Sequence, residues 1–230
     1  EHMFYAGMSG TPQEMVFSAP FNEDDFNSGN GAGSIKVDDT ITGLKVFRDS
    51  LFIFCQDRIF KLTGNSSSSF VIAPVSRTLG CLDNFSIQEI GGDLVFLGPD
   101  GIRTVQGTAR IGDTELGVVS KAIQRRFQDI SLDRISSVVI RDKSQYRIFR
   151  PTTGATEVSS EGIIGVIKAN PQGQIGWEWS EIKGIKPSCA DSQFINDDEL
   201  VVHGGFDGFV YKQESGNTFA GTNIQASYRS

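Results

Sequence analysis

Short apolar runs, some continuous and some alternating with polar residues, recur along most of the chain, and clusters of Gly, Asp, Asn or Pro close them. The first such runs are LKVFRD at 44–49, SLFIFC at 50–55 and RIFKLT at 58–63. The plan returns in FSIQEI at 85–90, DLVFLG at 93–98 and GIRTVQ at 101–106. It returns again in SSVVIRD at 136–142, QYRIFR at 145–150, GIIGVIKA at 162–169 and GWEWSEI at 176–182, and last in ELVVHG at 199–204 and GFVYKQ at 208–213. Each run has the length of one strand. The turn residues between them predict antiparallel hairpins.

Several runs look like copies of one plan: an apolar strand, a tight turn containing Asp and usually Gly, then an alternating strand. SLFIFCQDRIFKL at 50–62, DLVFLGPDGIRTV at 93–105 and ELVVHGGFDGFVYK at 199–212 share it, and SQYRIFRPTTG at 144–154 is a divergent version. With Leu51, Leu94, Tyr146 and Leu200 taken as equivalent, the steps are 43, 52 and 54 residues. These fall near the roughly 40 to 50 residues of a propeller blade. An antiparallel meander with evenly spaced hairpins is the competing reading. The expected fold is therefore all-β, with antiparallel propeller-like four-stranded blades forming a partial propeller, and with one short helix near 120–130. Residues 1–230 are expected to form one β-rich propeller-like domain with repeat units at roughly 40–75, 85–110, 135–182 and 188–214. The apolar opening MFYAG and the alternating close TNIQASYRS predict that this domain is a piece of a longer chain.

The segment that breaks the β pattern is SKAIQRRFQDI at 120–130. Ser120 is placed to cap a helix, and Ile123, Phe127 and Ile130 recur at helical spacing. Lys121, Gln124, Arg125 and Gln128 are left for solvent or a partner, with Arg126 on the flank.

Composition narrows the classes. A hydrophobic content of 38% is low, but 17 Phe, 4 Tyr and 2 Trp supply a core. No stretch approaches the roughly 18 to 20 apolar residues of a bilayer span, so no membrane segment is expected. Three cysteines, Cys55, Cys81 and Cys189, do not make a disulfide framework. Two histidines, His2 and His203, far apart in sequence, leave little room for His-based metal sites or triads.

Charge is uneven. The chain carries a net −7, yet residues 103–150 hold 10 basic and 5 acidic side chains. The arginines around RRF, namely Arg103, Arg110, Arg134, Arg141 and Arg147, either meet phosphates or an acidic protein face, or pair locally with neighbouring carboxylates. Overall acidity argues against a dedicated nucleic-acid binder.

Patterns that carry chemistry are weak. GNGAGS at 29–34 lacks phosphate-loop spacing and runs into a strand. Glu23-Asp24-Asp25, Asp38-Asp39 and Asp197-Asp198-Glu199 lack the alternating spacing of a calcium loop. Cys55 lies inside an apolar strand, where a thiol is inert. Trp177 and Trp179 share a strand face and suit either sheet packing or sugar stacking. The expectation is a protein that is not an enzyme, with no catalytic, cofactor-binding or metal-binding residues, and with Lys121, Arg125 and Arg126 as interaction candidates.

The runs TGLKVFRDSLFIFCQDRIFKLTG at 42–64, DLVFLGPDGIRTVQGT at 93–108 and ARIGDTELGVVSKAIQ at 109–124 resemble virion structural proteins of tailed bacteriophages, especially the β-propeller-containing tail nozzle or tail tubular proteins of short-tailed phages. The opening FYAGMSGTPQEMVFSAPFNEDDF and the closing IQASYRS are similar to matching stretches there. The resemblance implies a structural component of a tail, nozzle, neck or baseplate, made in the host cytoplasm and localised to the virion. Its partners would be copies of itself and other phage tail or neck proteins, with DNA passing transiently. It implies no catalytic residue. The alternative from the residues alone is a propeller that binds or cleaves glycan at the host surface.

Overall fold

The computed structural model describes residues 2–106, 118–127, 135–152, 159–169, 175–182, 185, 187–219 and 221–223. The chain divides into two compact units, Glu1–Gln128 and Asp129–Ser230. Both are built of antiparallel sheets, so the protein is all-β.

Among the described residues the first unit contains three sheets. The first is β1 (Phe4–Ala6), β2 (Glu14–Phe17) and β3 (Gly33–Lys36), with β2 in the centre. The second is a four-stranded meander in chain order, β4 (Ile41–Phe47), β5 (Ser50–Cys55), β6 (Ile59–Thr63) and β7 (Val71–Ser76). The third is β8 (Gln88–Ile90), β9 (Asp93–Gly98) and β10 (Gly101–Thr104). Val118 adds a fourth line at the β10 edge, bridging Arg103, while the Val119 N–H donates to the Ile102 carbonyl at 2.9 Å.

The strand β5 shows why the sheets stack. Side chains alternate across a strand, and here both faces are covered. Leu51, Ile53 and Cys55 join Met15, Val37, Ile41 and Leu62 in a core shared with β1–β3. Phe52 and Phe54 turn the other way, to Phe47, Ile59, Leu94 and Phe96 in a core shared with β8–β10. A run with no polar position is what a doubly covered strand requires. The run in β9 behaves alike, with Leu94 to Leu97 all buried. The hairpin β8–β9 closes through Gly91 and Gly92 at φ 61° and 75°, the two left-handed positions that a tight two-residue turn needs.

The second unit contains the meander β11 (Ser136–Ile140), β12 (Gln145–Thr152), β13 (Ser159–Ala169) and β14 (Ile175–Ile182), followed by the three-stranded sheet β15 (Pro187–Ile195), β16 (Asp198–Gly205) and β17 (Val210–Lys212). A small hairpin, β18 (Thr218–Phe219) and β19 (Thr222–Asn223), comes last. Val138, Ile140 and Phe149 of one sheet meet Val201 of the other. Two polar links add to this packing. The Ser192 hydroxyl donates to the Val139 carbonyl at 2.5 Å, and the Glu199 carboxylate accepts the Arg141 and Asp142 amides at 2.8 and 2.9 Å. The sheets β4–β7, β8–β10, β11–β14 and β15–β17 occupy the intervals of the four hairpin repeats, whereas β1–β3 had no counterpart in the sequence pattern.

The expected helix takes a different form. Lys121–Phe127 is a pair of short 3-10 turns meeting at Ile123, whose φ of −121° and ψ of 21° break the helical path. Ser120 heads the segment, its carbonyl accepting the Ile123 amide at 2.9 Å. Its buried hydroxyl accepts the Ile102 amide, also at 2.9 Å, which ties the segment to the β10 edge. Gln128 and Ile130 lie outside the described residues. Among the described residues no helix is long and apolar enough to cross a membrane.

Candidate functional site

The interaction candidates sit on that 3-10 segment. Ser120 anchors one end and the buried Phe127 the other, close to Gly101. Between them Lys121 and Arg125 stand exposed, and among the described residues neither forms an ion pair. Ile123 is half-buried, as is Gln124, which the helical reading had left to solvent. The Arg126 side chain lies outside what the structure describes.

Two of the wider arginine set are taken into the interior. Arg103 is buried and holds Asp100 through two bonds, Nε to Oδ1 at 2.7 Å and Nη2 to Oδ2 at 2.5 Å. Arg147 is also buried. It donates to Gln213 Oε1 at 2.9 Å and to Gln145 Oε1 at 2.6 Å, and it pairs with Glu214, which Lys143 also reaches. Burial pushes the Arg147 guanidinium down to about 10, still charged at neutral pH. These two arginines are internal fastenings, which removes them as phosphate contacts. Among the described residues their carboxylate partners are Asp100 and Glu214. Arg110 and Arg134 lie outside the described residues.

The remaining patterns resolve into structure. Burial pushes the Cys55 thiol up to about 12 and that of Cys81 up to about 11, so neither supplies a thiolate at neutral pH. GNGAGS forms a short 3-10 turn, Ser28–Asn30, and then enters β3. Asp38 pairs with Arg58, while Asp39 accepts the Thr40 and Asp57 amides at 2.7 and 2.8 Å. Among the described residues no group of three or more His, Cys, Asp or Glu is placed to hold a metal ion. Trp177 and Trp179 lie nearly parallel, 14° apart with ring centroids 5.3 Å apart, over Gly165 of β13. Both are half-buried.

Two features escaped the sequence reading. His203 is buried and stacks on Tyr211 at 5.3 Å, with the Tyr211 hydroxyl donating to Asp207 at 2.5 Å. Only the direct pairing of β16 with β17 brings these rings together. The second is a set of large apolar side chains left in solvent: Phe21 at 79% exposure, Val210 at 74%, Val46 at 68%, and Phe85 and Phe209 at 66%. Pattern alone does not separate such a residue from a core one, because both are apolar; the separation depends on which sheet faces are covered.

No protein-family model matches this chain, and comparison with curated proteins gives no match.

Proposed function

We propose that this chain is a structural component of a bacteriophage virion, of the tail, nozzle, neck or baseplate, acting through protein contacts in a ring-like assembly with copies of itself and neighbouring tail or neck proteins. One observation carries the reading: large apolar side chains stand exposed on turns and strand edges, while the buried Arg103 and Arg147 serve internal bonds. Exposed apolar side chains of this size suit surfaces that meet other proteins. The sequence resemblance to tail nozzle and tail tubular proteins supports the same class.

A glycan-binding role has the parallel pair Trp177 and Trp179 in its favour, since indole faces stack on sugar rings. Electron microscopy of the purified chain, run beside a glycan-binding panel, separates the two. Rings or regular oligomers without glycan binding support the structural role. Saturable glycan binding that is lost on replacing Trp177 and Trp179 with Ala, by a chain that stays monomeric, overturns it.

A further inference from the structure

The stack of sheets in the first unit has two ends. The sheet β1–β3 covers one face of β4–β7, and β8–β10 covers the other. With sheets about 10 Å apart, the outer face of β1–β3 lies roughly 20 Å from the third sheet, to whose β10 edge the Lys121–Phe127 segment is tied.

The first end is apolar and acidic. Met3 and Tyr5 lie two residues apart on one strand line and so share a face. Phe26 lies against Tyr5 with ring centroids 5.6 Å apart, and Phe21 stands at the tip of the turn closed by Ala19 and Asn22. All four are exposed. Within the same loop Asp25 is used internally, accepting the Asn27 amide at 2.8 Å and the Asn30 side chain at 2.7 Å. Glu23 and Asp24 form no ion pair among the described residues. The other end offers the complement, Lys121 and Arg125, exposed on a segment pinned at both ends.

From this we infer that the Tyr5 face and the Phe21–Phe26 loop dock head to tail onto the Lys121–Phe127 segment of a second copy. The first surface lies on the outer face of β1–β3 and the second beside the β10 edge of the third sheet, so the charges that match are held apart within a copy. The aromatic rings supply the apolar burial, and Glu23 and Asp24 against Lys121 and Arg125 set the orientation. A contact between two different faces closes into a ring when its rotation allows. The inference rests on the assembly role proposed above and names the contact that builds it.

The test is charge exchange, read by sedimentation velocity on the whole chain. The variant Glu23→Lys/Asp24→Lys and the variant Lys121→Glu/Arg125→Glu each place like charges across the contact, and each is expected to weaken assembly about tenfold or more. Mixed together they restore opposite charges at every contact, and the mixture is expected to assemble as the wild type does. A third variant, Phe21→Gly, separates interface from fold. Phe21 has a φ of 61°, which glycine adopts without strain, so the fold keeps its stability while assembly weakens. If the wild type assembles but the reversals leave it unaffected, or the mixture fails to recover, this contact is wrong and the assembly role stands. A wild type that stays monomeric at every concentration removes both.

Discussion

Ile53 and Phe54 are consecutive residues of one strand, both wholly buried, and they belong to different cores. Ile53 packs with Met15 and Leu62 toward β1–β3, and Phe54 reaches the Phe96 ring at 5.3 Å toward β8–β10. One strand thereby joins three sheets into a stack, with no polar residue in its buried length.

Removing either side chain opens a cavity in a separate core. Phe54→Ala is expected to cost about 3–5 kcal/mol and Ile53→Ala about 2–5 kcal/mol in urea unfolding. Val46→Ser, on the adjacent strand but exposed, is expected to change stability by less than about 0.5 kcal/mol. Equal effects at the three positions would show that β5 is not covered on both faces.

Arg147 depends on Glu214 across the second unit. Glu214→Gln leaves a buried guanidinium without its counter-charge, and the expected cost is about 1.5–3 kcal/mol. Lys143→Ala removes only the outer, half-exposed partner of the same carboxylate and is expected to cost less than about 1 kcal/mol. Unfolding curves in which the two substitutions rank the other way would contradict the buried pairing.

His203 makes stability depend on pH. Its burial lowers the imidazole below the ordinary value, an effect that Asp207 partly opposes. Between that lowered value and about 6.5 the unfolded chain binds more protons than the folded one. The contribution is complete above about pH 6.5 and is lost as pH falls, at no more than ~1.4 kcal/mol per pH unit. His203→Phe keeps a ring against Tyr211 and is expected to flatten this acid limb. Burial raises the carboxyls of Asp83 and Asp93, which act with the opposite sign above their unfolded values. They are common to both chains, so the difference between the two pH profiles isolates His203. Superimposable profiles would place His203 in solvent.

Gly165 leaves space for both indoles. A Cβ there would come within 2.6 Å of the Trp179 ring and 2.9 Å of the Trp177 ring. Gly165→Ala is expected to force the rings off the sheet and shift tryptophan emission to longer wavelength. The chain has only these two tryptophans, so its fluorescence reports them directly. Unchanged emission would mean that the rings do not lie over β13.

Much of the fold was legible in the sequence because β4–β6, β8–β14, β16 and β17 keep alternating or continuous apolar runs with turn residues at their ends, whereas β7, which contains Pro74, and β15, with Asp191, Ser192 and Gln193 in its middle, gave no such run. The sheet β1–β3 was not legible, since its strands have three or four residues and a long loop separates β2 from β3, giving periodicity too little length to register. Ile123 and Phe127 are half-buried and buried as their spacing predicts, but the backbone breaks at Ile123 into two 3-10 turns, which the spacing does not show. Among the site candidates, the exposure of Lys121 and Arg125 followed from the pattern. The withdrawal of Arg147 into a buried pair did not, because Gln213 and Glu214 lie far from it in sequence and only the folded second unit brings them together.

The most direct measurement is the mass of the chain in solution as its concentration is raised from the nanomolar to the high micromolar range. If the protein acts by joining copies of itself through its exposed apolar and charged surfaces, the mass rises with concentration to a defined oligomer, and added salt lowers it. A single monomer mass over the whole range, unaffected by salt, would contradict the account.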